Sequence, residues 1–297
     1  MFNQFKNKLL LIVLTFSCNL SYGQELQRIN FEDIKYRNVG PTRGGRSTSV
    51  CGVIKNQFTF YMGTSGGGLW KTVDGGLSWN NISDGYFESP SIGSIDVFQS
   101  NPDIIYVGTG SDGIRSNVIV GKGVYKSLDA GKSWEFKGLK SAGQIGAIKV
   151  HPKNPDIVYA AAIGQPFKQN TERGLFKSID GGKNWKKILY ISDKIGIVDM
   201  EFSPDDPNTI YAASWEVNRK PWTIMSGSKD GGIYKSVDGG QSWTKLFKGL
   251  PKGNIGKIDL ATSPADTNRL YALIEAGDGQ GGVYVSYDKG SSFNVMS

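Results

Sequence analysis

The side chains best suited to hold a ligand or move a proton fall in a few short stretches of the chain. Arg43 and Arg46 close the segment 38–46 (NVGPTRGGR), and Tyr86, Phe87 and Glu88 follow one another. Asp112 lies just before Arg115, and Gln165, Phe167, Lys168 and Arg173 share one stretch. Trp215, Glu216, Arg219, Lys220 and Trp222 crowd into residues 215–222 (WEVNRKPW). A guanidinium grips an anion through two parallel N–H bonds, and a flat aromatic face offers a stacking surface. That combination suits anionic or carbohydrate ligands. The binding candidates are Arg43, Arg46, Arg115, Arg173, Trp215, Arg219 and Trp222. Glu88, Asp112 and Glu216 are the carboxyls available as acids. The structural alternative is that Trp215 and Trp222 cover a seam in the fold while the arginines pair with local acids.

Other chemistries are set aside by composition. His151 is the only histidine, which rules against a Ser/His/Asp triad and a multi-histidine metal site. Residues 63–68 are glycine-rich but lack the Lys-Ser/Thr ending of a phosphate loop and open no helical pattern. No cofactor and no metal is expected. The net charge is +7, yet the lysines are scattered, so a solvated surface is expected and not a nucleic-acid partner.

The elements that must carry these residues are repeats. Glycine, 40 of 297 residues, is about 13% of the chain, nearly double the usual ~7%, and calls for many tight turns. The octet Thr72-Val73-Asp74-Gly75-Gly76-Leu77-Ser78-Trp79 recurs around Asp129, Asp180, Asp238 and Asp288, at steps of 55, 51, 58 and 50 residues. On the same beat Tyr61, Tyr106, Tyr159, Tyr211 and Tyr271 end β-branched runs, and Ile-Gly pairs at 92, 145, 195 and 255 open others. Each period reads as four short strands, in the second unit 92–98, 104–108, 123–127 and 133–136, with turn chemistry such as Asn101-Pro102 between them. No window holds a helical period. The expected fold is all-β, a β-propeller of four-stranded blades with five repeats present. Cys51 falls in a strand and is expected to be buried and inert.

The repeated octet is the Asp box, and with it the chain resembles the BNR/Asp-box propellers, a superfamily that includes sialidases, xyloglucan-specific glucanases and the sortilin (Vps10) ectodomain. Residues 38–46, 61–74 and 215–222 look most like exported bacterial sortilin-N-terminal-like proteins, often labelled BNR-repeat glycosyl hydrolases on fold alone. The resemblance implies two functions: binding of a peptide or glycan, or glycoside hydrolysis. In xyloglucanase-like propellers an Arg-Thr-Asp-x-Gly-Gly segment carries a catalytic aspartate; here Ser65 fills that slot. The sialidase-like Phe/Tyr-Arg-Ile-Pro segment is missing too. Binding is the favoured reading. Related propellers have six or more blades, so the chain is expected to be part of a larger propeller whose last blade is truncated. The alternative is a ring closed by a strand from residues 29–36.

Local chemistry gives the box its own logic. An Asp carboxylate can accept backbone N–H groups across a hairpin, and the glycines supply the positive φ. Asp74, Asp129, Asp180, Asp238 and Asp288 are therefore expected to be structural. Strand parity places the boxes, as third-to-fourth turns, on one face. The longer stretches 108–123, 162–174 and 214–232 and the blade links 80–91 and 247–254 fall on the other. Long loops on a rigid scaffold are where binding residues concentrate.

Residues 1–23 read as a secretory signal peptide: Lys6 and Lys8, an apolar run at 9–16, and small residues Ser21 and Gly23 before the cut. Thr15-Phe16-Ser17-Cys18 lacks the leucine of a lipoprotein site, so no lipid anchor is expected at Cys18. Removal leaves 32 basic and 27 acidic side chains, a net charge of +5, with Cys51 alone and so no internal disulfide. Residues 24–45 form a lead-in and 46–297 the blades. Secreted or periplasmic placement is expected, with no transmembrane segment.

Overall fold

The computed structural model describes residues 46–297. The expectations for the signal peptide, Cys18, the lead-in, the strand at 29–36 and Arg43 lie outside the described residues.

Five four-stranded antiparallel sheets follow one another along the chain. Blade 1 comprises β1 (Ser47–Val53), β2 (Asn56–Thr64), β3 (Leu69–Thr72) and β4 (Asn80–Asn81). Blade 2 has β5 (Ile92–Val97), β6 (Ile105–Thr109), β7 (Val124–Ser127) and β8 (Glu135–Phe136). Blade 3 has β9 (Gln144–Val150), β10 (Val158–Gly164), β11 (Gly174–Ser178) and β12 (Lys186–Leu189). In blade 4, β13 (Ile195–Phe202), β14 (Ile210–Lys220), β16 (Gly232–Ser236) and β17 (Thr244–Leu246) form the sheet, and β15 (Thr223–Ser226) pairs with the end of β14. Blade 5 has β18 (Ile255–Thr262), β19 (Leu270–Ala276), β20 (Gly282–Ser286) and β21 (Asn294–Val295). All-β propeller blades are thus what these repeats form. One reading changes: much of the stretch 214–232 is a strand running on into a hairpin.

The recurring sequence markers are joints between blades. Three Ile-Gly glycines open innermost strands so close to a neighbour that a Cβ would sit 2.0 Å from Ile145 O at Gly93, 2.2 Å from Val198 O at Gly146 and 2.2 Å from Ile163 O at Gly196. No other residue fits there. Tyr61, Tyr159 and Tyr211 donate their hydroxyls to Ala130 O, Gly239 O and Lys289 O in the next blade's box turn; Tyr106 reaches Pro155 O. In the opposite direction, the box indoles of Trp134, Trp185 and Trp243 donate to Ile82 O, Lys137 O and Ile188 O of the preceding blade. The strands between these joints are buried on both faces, β10 along its whole length. Cys51 lies in β1, half-buried, and burial first, then Asp96, pushes its thiol up to about 11, so it is no thiolate nucleophile at neutral pH.

Innermost strands are also stitched directly. Asp96 of β5 accepts Val150 N–H of β9 at 2.6 Å, and Asp199 of β13 accepts Leu260 N–H of β18 at 2.7 Å. Between them Lys149 of β9 pairs with Glu201 of β13 at 2.7 Å.

Candidate functional site

Every box aspartate is occupied within its own hairpin. Asp180 Oδ1 accepts Asn184 N–H at 2.9 Å and the Ser178 hydroxyl at 2.8 Å, while Oδ2 accepts Asn184 Nδ2 at 2.7 Å. Asp74, Asp129, Asp238 and Asp288 repeat the pattern with Ser78, Ser133, Ser242 and Ser292. Hydrogen bonds to the charged form hold the carboxyls of Asp74, Asp129, Asp180 and Asp238 below the usual range, to about 2 at Asp129 and Asp180. Carboxylates so engaged have no proton to give.

On the opposite face a pocket of about 230 Å³ opens near the axis. Arg46 and Thr48 of blade 1, Ser65 of the β2–β3 turn, Ser91 of the first blade link, the stretch around Asp112 and Arg115, and Lys257 of β18 line it. The β6–β7 stretch reaches across: Ile114 is buried with residues of blades 3, 4 and 5, and Asp112 Oδ2 pairs with Lys257 Nζ at 2.6 Å. Burial works against the Lys257 ammonium, but Asp112, followed by Asp259, keeps its pKa above the ordinary lysine value. Gln144, fully buried at the start of β9, clamps both ends of this stretch. Its Nε2 donates to Ser111 O and Ile119 O, and its Oε1 accepts Gly121 N–H. Ser91 Oγ is buried without a partner among the described residues. The pocket therefore presents two guanidinium side chains, an ammonium already tied to a carboxylate, and hydroxyls.

A second pocket of about 250 Å³ lies to the side, between blades 3 and 4, lined by Gln169, Lys194, Glu216, Asn218, Lys220 and Met225, with Arg173 at its edge. Arg173 is a correction to the sequence reading. It is 1% exposed, and its guanidinium donates to Ile163 O, Gln165 O and Lys168 O, so it holds backbone in place. Burial lowers its pKa to about 10, with Asp193 and Glu216 acting against that fall. Trp215 is the second correction: at 4% exposure it belongs to the core, its indole N–H on Ser226 Oγ. The structural alternative, aromatic cover of a seam, describes Trp215. It does not describe Trp222, which is 81% exposed at the tip of the β14–β15 hairpin. Arg219, three residues before it, is half-buried.

The candidate acids are dispersed. Asp112 is in the axial pocket, Glu216 in the lateral one, and Glu88 lines neither, pairing with Lys140 at 2.8 Å. A third cavity, about 710 Å³, is on the Asp-box side between blades 3 and 4, among Lys177, Trp185, Lys186 and Lys187. It holds none of the loop-face candidates. Lys257 and Gln144 were missed in the sequence, although Lys257 directly follows an Ile-Gly marker and so stands where an innermost strand opens. His151 sits in a β9–β10 turn, its Nδ1 accepting Lys153 N–H. Among the described residues no cluster of His, Cys, Asp and Glu could hold a metal ion, and no helix is long and apolar enough to cross a membrane.

Residues 122–249, from blade 2 through blade 4, match the family model of sortilin, neurotensin receptor 3. A xyloglucanase of Paenibacillus sp. is 23% identical over 241 residues, covering 72% of this chain and 22% of that protein. The vacuolar protein sorting/targeting protein 10 of Lodderomyces elongisporus is 29% identical over 119 residues, 40% of this chain and 7% of that one. Among solved structures, the Niastella koreensis GH74 enzyme superposes with a TM-score of 0.60 at 19% identity, covering 83% of this chain and 37% of that chain. The chain thus spans about a quarter of the curated xyloglucanase and about a third of the solved enzyme. The fold is that of a β-propeller, and within it residues 122–249 are similar to the sortilin family.

Proposed function

We propose that the chain is an exported binding propeller that takes a peptide or glycan on the face opposite the Asp boxes. One observation carries this: Arg46 and Arg115 meet Lys257 and the hydroxyls of Ser65, Ser91 and Ser111 around one axial pocket, whose carboxylate, Asp112, is already neutralised by Lys257. Such a pocket recognises a carboxylate, or a hydroxyl-rich group, through charge-assisted hydrogen bonds. Trp222 and Arg219 extend the same face outward. Export follows from the signal-like start at 1–23.

The second reading, glycoside hydrolysis, is favoured by the xyloglucanase relatives that match most of the chain. Cleavage needs two carboxyls flanking one bond. Glu88, Asp112 and Glu216 line no common pocket, and Ser65 occupies the slot of the family's catalytic aspartate. A panel of polysaccharides and peptides titrated against the purified protein tests both readings. Arg115→Ala and Arg46→Ala should weaken binding by roughly tenfold or more each, as loss of a charge-assisted contact does, with Trp222→Ala and Arg219→Ala weaker but in the same direction. Release of reducing ends from xyloglucan, abolished by Asp112→Asn or Glu216→Gln in folded protein, would establish hydrolysis instead.

A further inference from the structure

The β14–β15 hairpin stands apart from the rest of the sheet system. β14 continues past the blade and folds back through a two-residue turn, Pro221-Trp222, with Lys220 opposite Thr223, Arg219 opposite Ile224 and Asn218 opposite Met225. A pair flanking a two-residue turn exchanges both hydrogen bonds, and pairs then alternate along the ladder. Lys220–Thr223 and Asn218–Met225 are therefore bonded pairs, while Arg219 and Ile224 point their backbone groups away from each other. On the β14 side that outward group is taken: Arg219 N–H donates to Pro166 O at 2.7 Å. On the other side nothing corresponds. β15 pairs with β14 alone, which leaves Ile224 N–H and C=O without a ladder partner among the described residues.

This edge also lacks the protection given to the others. The outermost strands β4, β8 and β21 have two residues each, β17 has three and carries Lys245, and β12 carries Lys186 and Lys187. Short length and edge charges are how sheets avoid unwanted pairing. β15 has four residues, Thr-Ile-Met-Ser, with no charge and no proline. Ile224 and Met225 are 39% and 61% exposed beside the exposed Trp222. The ribbon is nonetheless held firmly, since Ser226 Oγ accepts the Trp215 indole and donates to Glu275 of blade 5. A rigid, uncharged, apolar edge with free backbone groups is a template for strand addition.

We propose that the free edge of β15 binds an extended peptide as an added strand, with apolar side chains of the peptide packing on Ile224 on one face of the ribbon and on Met225 on the other. The proposal rests on the reading that this face takes ligands, and makes the peptide, not a glycan, the occupant of the ribbon. An array of random dodecapeptides is probed with the full chain, and the tightest binder is titrated into wild type, Ile224→Pro, Ile224→Val and Arg115→Ala. Proline at 224 removes only the outward N–H, since the ribbon's own bonds use Thr223 and Met225. Ile224→Pro should weaken binding by about tenfold or more with Tm unchanged, and Ile224→Val by no more than about twofold. N-methylation of single peptide amides tests the same bonds from the ligand side and should abolish binding at one alternate register. Equal binding by wild type and Ile224→Pro, with no sensitivity to N-methylation, overturns the proposal. So does binding of glycans but of no peptide, or a dimer in sedimentation that Ile224→Pro dissociates. Loss on Arg115→Ala alone would leave the axial pocket standing and remove the edge; loss on Ile224→Pro alone would do the reverse.

Discussion

At the scale of single residues, the same side-chain type serves opposite ends according to where its hydrogen-bond partners lie. Arg173 is spent on backbone carbonyls and Asp180 on its own hairpin, whereas Arg46 and Arg115 line a pocket. An aspartate that accepts a backbone N–H and two side-chain donors in a turn is a fold determinant, and its loss should not touch the ligand. Asp180→Ala should lower Tm by several degrees while affinity, measured on the folded fraction, stays within experimental error of wild type. A loss of affinity at unchanged Tm would put the binding surface on the Asp-box side, where the cavity of about 710 Å³ lies. Sequence alone marks these residues well when their partners are close along the chain. It marks them poorly when partners are remote: the Asp112–Lys257 pair joins residues in blades 2 and 5, and no local pattern announces it.

At the scale of elements, the innermost strands carry the most unusual electrostatics. Burial pushes the Asp96 carboxyl up to about 6, against Lys149 and the Val150 N–H bond, and the Asp199 carboxyl up to about 7, against the Leu260 N–H bond. Both values lie above that of an unfolded aspartate, so the folded state binds these protons more tightly. The associated stability is complete below about pH 4 and is lost as pH rises through 6 to 7. The box aspartates act with opposite sign: their depressed values make stability fall only as pH drops toward about 2. Tm should therefore decline between pH 5 and pH 8, and Asp199→Asn should flatten that decline. A Tm that rises across this interval in wild type would contradict the account. These strands were legible from the sequence because Ile-Gly, Tyr and Asp-box markers are themselves blade joints. The β14 extension was not, because Asn218, Arg219 and Lys220 hide the strand alternation that only Val217, turned inward, preserves.

At the scale of the whole molecule, strand parity separates the structural hairpins from the variable connections, and this division is legible in the sequence. Parity could not say which connection crosses the axis. That role falls to the β6–β7 stretch, because Ile114 finds a core site among blades 3 to 5 and Gln144 pins both its ends. The burial of Trp215 escapes a sequence reading for the same reason: it depends on packing against blade 5, remote in sequence, as well as on the returning β15. The central claim is that ligand sits on the axial, loop-bearing face and is held there uncleaved. Hydrogen–deuterium exchange of the full chain, with and without the glycan or peptide that the titration panel yields, tests it most directly. The account predicts protection in residues 65–68 and 111–121 with the Asp-box turns unchanged. Protection confined to the Asp-box turns around Asp180 and Asp238 would contradict it.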